Sequence, residues 1–256
     1  MEEHLQKLVQ HAEPKKTFNI VSTGKSSRIH TRFSPPLVFS NNASCHYEMA
    51  LCKLETYYSF PNIDATNNCI KIRAGDKAGW KTLTIPTGCY EIASINEEMQ
   101  RLIVQLGGKK DKVVLSPNNS TLKCVLEVKD DKYEVDFRGD HSLRTVLGFD
   151  ARLYKRGRFE SEQLVDIMSV NSIMVHCDII GGSRVNGVEA PVIYNFFPDT
   201  APGDKIICTP KNLIYVPITM DVISHMTCWL TDQSGKELDL RGEKLTITFY
   251  MKACGS

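Results

Sequence analysis

The sequence predicts an all-β fold, a β-sandwich with one inserted helix. Short apolar runs of strand length recur along the chain, and turn residues such as those at 181–182, 186–187 and 234–235 separate them. Only one segment carries apolar residues at helical spacing, so the alternation of helices and strands that typifies a doubly wound fold is absent. The last two apolar runs, 222–230 and 245–251, form a terminal pair of the kind that closes a sheet.

Strand candidates lie on both sides of the helix. In the first half they are 37–40, 47–58, 69–73, 81–85, 112–116, 121–128 and 132–137. In the second half they are 172–180, 192–197, 205–209, 213–218, 222–230 and 245–251. Because turn-forming Asn and Asp pairs separate the three runs between 112 and 137, we expect these runs to form a meander.

The one predicted helix lies between residues 92 and 106. Its apolar residues recur at helical spacing: Ile92, Ile95, Met99, Leu102, Ile103 and Leu106. Ser94 and Glu97 form a capping box, which predicts a start near Ser94, and Gly107-Gly108 predicts the end. A helical turn is also predicted at 142–147, ending at Gly148.

Residues 1–34 differ in composition from 35–256. Six Lys and Arg against three Glu give this segment a net charge of +3, and its only apolar face is a short one at 5–9, broken at Pro14. Such a segment buries too little surface to fold alone, although it can order against a partner. We therefore expect a flexible N-terminal arm over 1–34, disordered alone, and a single domain over 35–256.

Composition excludes several classes of function. The 256 residues carry 31 basic and 30 acidic side chains, a net charge of +1, which argues against a dedicated or specific nucleic-acid binder. No apolar run reaches the ~18 residues of a transmembrane segment. The nine cysteines include no C-x-x-C pair and follow no secretory signal. We therefore expect reduced thiols in an intracellular compartment, without an essential disulfide or a structural metal.

Local motifs do not indicate catalysis. Thr23-Gly24-Lys25-Ser26 has the ending of a phosphate loop but lacks its first glycine, and neither an H-E-x-x-H nor a G-x-S-x-G pattern occurs. His176-Cys177-Asp178 lies on a predicted strand, whose alternation points neighbouring side chains to opposite faces. We assign no catalytic, cofactor-binding or metal-binding residues and no cofactor, and we expect that the protein is not an enzyme. Trp229 is expected in the core, and Trp80 at an interface.

Three blocks together resemble a known family. The first is 83–106, LTIPTGCYEIASINEEMQRLIVQL, and the second is 145–180, where Leu147-Gly148-Phe149 precedes a polar link and the run SIMVHCDII. The third is WLTDQSGKELDLRGEKLTITFYM near the end of the chain. In this order they resemble the penton, or minor capsid, proteins of Maverick/Polinton elements and adintovirus-like viruses, over residues 36–252.

The resemblance implies a single jelly-roll fold and a structural function. It implies a homopentamer at the five-fold vertices of an icosahedral capsid, whose shell is built by a double jelly-roll major capsid protein. The virion is then its location, after intracellular assembly. The family has no catalytic residues, so the resemblance assigns none to this chain. The expected partner of residues 1–34 is the inner side of the shell, a neighbouring capsid subunit or an internal capsid cement protein.

Two other readings remain open. Jelly rolls also serve as lectin domains, so the chain could be a carbohydrate- or receptor-binding oligomer. Sugar binding would favour aromatic residues in exposed loops, and the loops at 116–120 and 181–189 contain none. A metal-dependent jelly-roll enzyme would need clustered His and carboxylate ligands, which the sequence does not place together.

Overall fold

Antiparallel strands dominate the computed structural model, which describes residues 17–20, 26–39, 45–75, 79–168 and 170–255. The helices are α1 (Ile92–Gln105) and the single turn α2 (Arg144–Leu147). The strands are β1 (Thr17–Ile20), β2 (Arg28–Val38), β3 (Cys45–Tyr57), β4 (Cys69–Ala74), β5 (Lys81–Thr84), β6 (Val113–Asn118), β7 (Lys123–Val128), β8 (Tyr133–Asp136), β9 (Leu153–Tyr154), β10 (Gly157–Glu160), β11 (Ile173–Cys177), β12 (Arg184–Val185), β13 (Val188–Glu189), β14 (Val192–Phe196), β15 (Lys205–Cys208), β16 (Val216–Pro217), β17 (Val222–Thr231) and β18 (Thr246–Gly255). The all-β prediction is confirmed.

The strands fall into two compact units. One unit combines Met1–Ser59 with Val170–Ser256, and the other is Phe60–Ser169. In chain order the second unit is therefore an insertion between β3 and β11. The single domain expected over 35–256 stays a prediction, because strand patterns alone do not show which strands pair with which.

The first unit has jelly-roll topology. One of its sheets has the order β1-β18-β3-β15, with β16 also paired to β3, and the other has the order β14-β11-β17-β2. Eight strands pair as a nested hairpin, first with last: β1 with β18, β2 with β17, β3 with β15 and β11 with β14. Such a hairpin folded into two four-stranded sheets is a jelly roll. The jelly roll implied by the family resemblance is confirmed.

Buried residues of the first unit follow the strand period. Along β17, Met226, Cys228 and Leu230 are buried in alternation. Ile223 is buried too, three residues before Met226, because the pairing with β2 shifts register between Ile223 and His225. The polar residues between them face the other side of the sheet.

Part of the predicted arm belongs to the jelly roll. β1 pairs with β18, and β2 begins at Arg28 and buries Ile29, so both strands lie largely within 1–34. Sequence patterns did not predict most of β2. This strand lies at the edge of its sheet, where Pro35-Pro36 and polar residues are tolerated on the open side. The short apolar face at 5–9 lies outside the described residues.

The second unit has a core of its own. It contains two small sheets, with the orders β5-β4-β8-β9 and β10-β7-β6, and α1 packs on β6 and β5. Its buried residues include Ile72, Ile95, Met99, Leu126 and Phe137. The predicted meander is wrong: β8 pairs with β4 and β9, whereas the second neighbour of β7 is β10. All four residues of β8 are buried, so both faces of this strand are covered.

Helix α1 begins earlier than the capping box predicts. Glu91 is its N-cap, and no side chain caps the first turn. Ile92 is buried, so packing of the first turn rather than Ser94 determines the start. The predicted end is confirmed: Gly107 has a left-handed φ of +82°, and the Gly108 N–H donates to the Ile103 carbonyl at 3.0 Å.

Trp229 does not lie in the core. It is only partly buried, on the face of β17 opposite Cys228 and Leu230. Register places it between His176 of β11 and Arg28 of β2. The His176 ring stacks on the indole with centroids 4.9 Å apart, and the Arg28 guanidinium carbon lies 4.6 Å from the indole centroid. Burial and the Arg28 charge lower the pKa of His176.

Replacing Trp229 with alanine should therefore cost less than removal of a core tryptophan. We expect the free energy of unfolding to fall by about 1–2.5 kcal/mol, the sum of one aromatic stacking and one cation–π contact. Urea denaturation of the variant measures this loss. A loss of about 4 kcal/mol or more would show that the indole contributes as a buried core residue.

Candidate assembly surface

His176, Cys177 and Asp178 are neighbours in the sequence, but their side chains have separate partners. His176 Nε2 lies 2.9 Å from Thr231 Oγ1, whereas Asp178 accepts the Thr227 N–H at 2.9 Å. Cys177 hydrogen-bonds to the Cys228 thiol, and this bond and burial raise the pKa of Cys228. The three consecutive side chains 176–178 therefore do not converge on one ion or substrate.

Glu97-Glu98 and Asp130-Asp131 are two pairs of neighbouring carboxylates, and three of these four side chains form ion pairs. Glu98 accepts the Arg101 Nε–H at 2.8 Å, and this bond lowers the pKa of Glu98. Asp131 lies 2.9 Å from Arg156, and Asp130 lies 3.4 Å from Lys112. These contacts explain the pairs as surface charges. Residues 23–25 of the Thr-Gly-Lys-Ser segment lie outside the described part of the chain.

An exposed apolar patch lies where two edge strands of the jelly roll end. β14 is the last strand of one sheet, and β15 is the last strand of the other. Phe197, directly after β14, is 74% exposed, and Ile207 on β15 is 57% exposed. With Ile214, which is 58% exposed, they form what we call the β14–β15 patch. The three residues line a groove of about 630 Å³, whose other lining residues are both apolar, such as Phe196, and polar or charged, such as Lys211.

Strand geometry produces this exposure. β15 carries two consecutive isoleucines, and alternation sends Ile206 into the core and Ile207 outward. An apolar residue at both positions is unnecessary for folding, because an edge strand at the surface buries only one face. The run Lys-Ile-Ile-Cys therefore indicates that one isoleucine faces outward. The run alone does not show which of the two isoleucines it is.

A second apolar patch lies at the β2 edge of the sheet that β14 ends, the sheet with the order β14-β11-β17-β2. Val38 on β2 faces Val222 on β17 in register, and both side chains are more than half exposed. Met220 is also exposed, two residues before Val222. These three residues form the β2–β17 patch. Since β14 and β2 are the two ends of the sheet order, the jelly roll carries unlike apolar patches at opposite edges.

Strand order and pairing define the class of this protein: a jelly-roll protein with a second unit inserted between its third and fourth strands. No protein-family model and no curated protein matches the chain. Among solved structures, the mavirus penton protein is similar to it, with a TM-score of 0.53 and 9% sequence identity over 94% of this chain and 100% of that chain. The predicted resemblance to penton proteins is confirmed at the level of the fold.

A second solved structure is far less similar. The D2-D3 domains of the flagellar cap protein FliD from Escherichia coli give a TM-score of 0.23, with 15% identity over 86% of this chain and 100% of that chain. Such a score carries no argument about fold or function. Among the described residues, no helix is long and apolar enough to cross a membrane.

Proposed function

We propose that this protein is a penton, a structural minor capsid protein without catalytic activity. The observation that carries the proposal is a fold shared with the mavirus penton protein over nearly all of this chain and all of that one. The protein would act by assembly, so its functional residues are those of contact surfaces.

The two apolar patches support assembly into a closed ring. Soluble monomers rarely expose large contiguous apolar patches, and such patches mark interaction sites. A ring needs heterologous contacts, in which each copy offers two different surfaces. The β14–β15 patch and the β2–β17 patch meet this requirement, because they differ in composition and lie at opposite edges of one sheet. We propose that they meet between neighbouring copies of a homopentamer.

The remaining parts of the proposal concern the capsid. The pentamer would occupy the five-fold vertices of an icosahedral shell made by a double jelly-roll major capsid protein. Residues of 1–34 that precede the strands of the jelly roll would contact internal capsid cement proteins. Residues 1–16 carry three Lys against three Glu, so this segment is neutral overall and does not favour nucleic acid as a partner. The virion would be the place of function.

The mass of the assembled protein tests the ring. Native mass spectrometry of the intact chain should give five times the 28.8 kDa of one copy. Replacing Phe197 or Ile207 with aspartate should shift the protein to monomers, because a charge in a desolvated contact costs at least about 2 kcal/mol per interface.

The matched control is Leu164→Asp, a charge at an exposed leucine of the inserted unit. We expect this variant to keep the mass of the unmodified protein. If Leu164→Asp dissociates the assembly and the patch variants do not, the β14–β15 patch is not the contact. A soluble monomer at every concentration would instead favour a ligand-binding groove at that patch.

A further inference from the structure

Three potential metal ligands converge where β3 begins and β18 ends. His46 lies opposite Cys254 in the strand register, and Glu48 is two residues along β3, on the same face as His46. His46 Nε2 lies 3.5 Å from Glu48 Oε1, and Cys254 Sγ lies 3.2 Å from Glu48 Oε2. One ligand atom from each residue lies within 4.8 Å of the other two. Among the described residues this is the one group with such spacing.

The ligand types and spacings suit zinc. Zinc binds imidazole nitrogen, carboxylate oxygen and thiolate sulfur at about 2.0–2.3 Å in tetrahedral geometry. Two ligand atoms on such a tetrahedron are separated by about 3.3–3.7 Å, as these bond lengths require. Two separations, 3.5 Å from His46 to Glu48 and 3.2 Å from Cys254 to Glu48, are already close to this range, and the ligand atoms of His46 and Cys254 lie within 4.8 Å of each other. Side-chain rotations would therefore place all three donors around one ion. A thiolate in the set favours zinc over magnesium or calcium.

We propose that His46, Glu48 and Cys254 form a zinc site on the jelly-roll unit, with the fourth coordination position open. The side chain of His46 is 59% exposed, so water, or a donor from another protein, can reach the ion. Sites with three protein ligands and an exchangeable fourth ligand are a known zinc arrangement.

Lys252 is the competing cation at this site. Its Nζ lies 3.1 Å from Glu48 Oε2 and 3.8 Å from the centroid of the Tyr215 ring. A zinc ion would replace the ammonium at the carboxylate, while Lys252 keeps its place over Tyr215. Burial and the neighbouring carboxylate raise the pKa of the Cys254 thiol, so zinc binding releases the thiol proton to solvent. Without a metal, the same contacts form a network of hydrogen bonds and ion pairs.

The ion would add to an existing structure and would not create it. β3 and β18 pair along ten residue positions, so the two strands are held together by the sheet itself. A chelator should therefore leave the fold intact, in keeping with the expectation that the protein has no structural metal. Bound zinc should raise the thermal midpoint only as ligand binding to a folded state does.

Zinc binding by the intact protein tests the proposal. Isothermal titration with Zn²⁺ alone should give one site per chain, and Co²⁺ as a probe should give a thiolate-to-metal charge-transfer band. Cys254→Ser should abolish this band and weaken zinc binding by about 100-fold, and His46→Gln and Glu48→Gln should weaken it at least about tenfold. Lys252→Met should tighten binding by about tenfold, because it removes the competing charge.

The matched controls are Cys208→Ser and His225→Gln. Cys208 is a partly buried thiol on β15, whose pKa burial raises to about 11, and His225 is an exposed histidine of the same unit. Both variants should bind zinc like the unmodified protein. Fewer than one bound zinc per chain, or an unchanged cobalt band in a folded Cys254→Ser variant, would show that the cluster is only an ion-paired network.

Discussion

Replacing Gly148 with alanine should lower the free energy of unfolding by about 3 kcal/mol or more. Gly148 has a left-handed φ of +79°, and an added Cβ would lie 2.4 Å from the Gln163 carbonyl oxygen and 2.8 Å from that of Leu164. Both are backbone atoms, and the Gln163 N–H donates to the Gly148 carbonyl at 2.9 Å, which holds the two segments together. The methyl group therefore cannot be accommodated by rotating a side chain.

Gly107→Ala is the matched control. Gly107 lies in the same inserted unit with a φ of +82°, and nothing lies within 4 Å of its added Cβ. This variant should cost only the conformational strain, about 1–2 kcal/mol. Urea denaturation of both variants separates steric contact from backbone strain. Equal losses would mean that the close approach of 148 to 163–164 does not exist in solution.

Replacing Phe137 with alanine should cost about 3–5 kcal/mol, the range for a fully buried aromatic side chain. Phe137 is inaccessible to solvent in the core of the inserted unit. Its ring is stacked on Phe149 at a centroid distance of 5.3 Å and meets Tyr154 edge-on at 5.6 Å. Truncation would remove both contacts and leave a cavity between two rigid rings.

Leu164→Ala provides the comparison, since Leu164 is an exposed apolar residue of the same unit. Its free energy of unfolding should stay within about 0.5 kcal/mol of that of the unmodified protein. Thermal and urea unfolding measure both variants under the same conditions. A small loss for Phe137→Ala, similar to that for Leu164→Ala, would contradict the core described for residues 60–169.

Local patterns predicted most strands, because alternation and turn residues are properties of neighbouring positions. The long strand at 47–58 and the helix that begins at Ile92 are examples. Edge strand β2 was missed over most of its length, since its open side carries polar residues and two prolines. The separate fold of residues 60–169 was also missed, because it depends on long-range pairs such as β4 with β8.

The functional surfaces depend even more on long-range pairing. The run Lys-Ile-Ile-Cys requires one isoleucine to face outward, but only the sheet order shows that β15 is an edge. His46 and Cys254 are far apart in the chain and become neighbours only through the register of β3 with β18. Trp229 lies in the largely apolar stretch 226–230, which predicts a core residue, but β17 buries only Met226, Cys228 and Leu230 of that stretch.

Electron microscopy of the purified assembly tests the penton proposal most directly. Class averages should show a closed ring with five-fold symmetry, with the jelly-roll units of neighbouring copies in contact through the β14–β15 and β2–β17 patches. Phe197→Asp should abolish the rings, whereas Leu164→Asp should leave them unchanged. Rings of another symmetry, or a protein that remains single copies in the presence of its shell protein, would contradict the assignment.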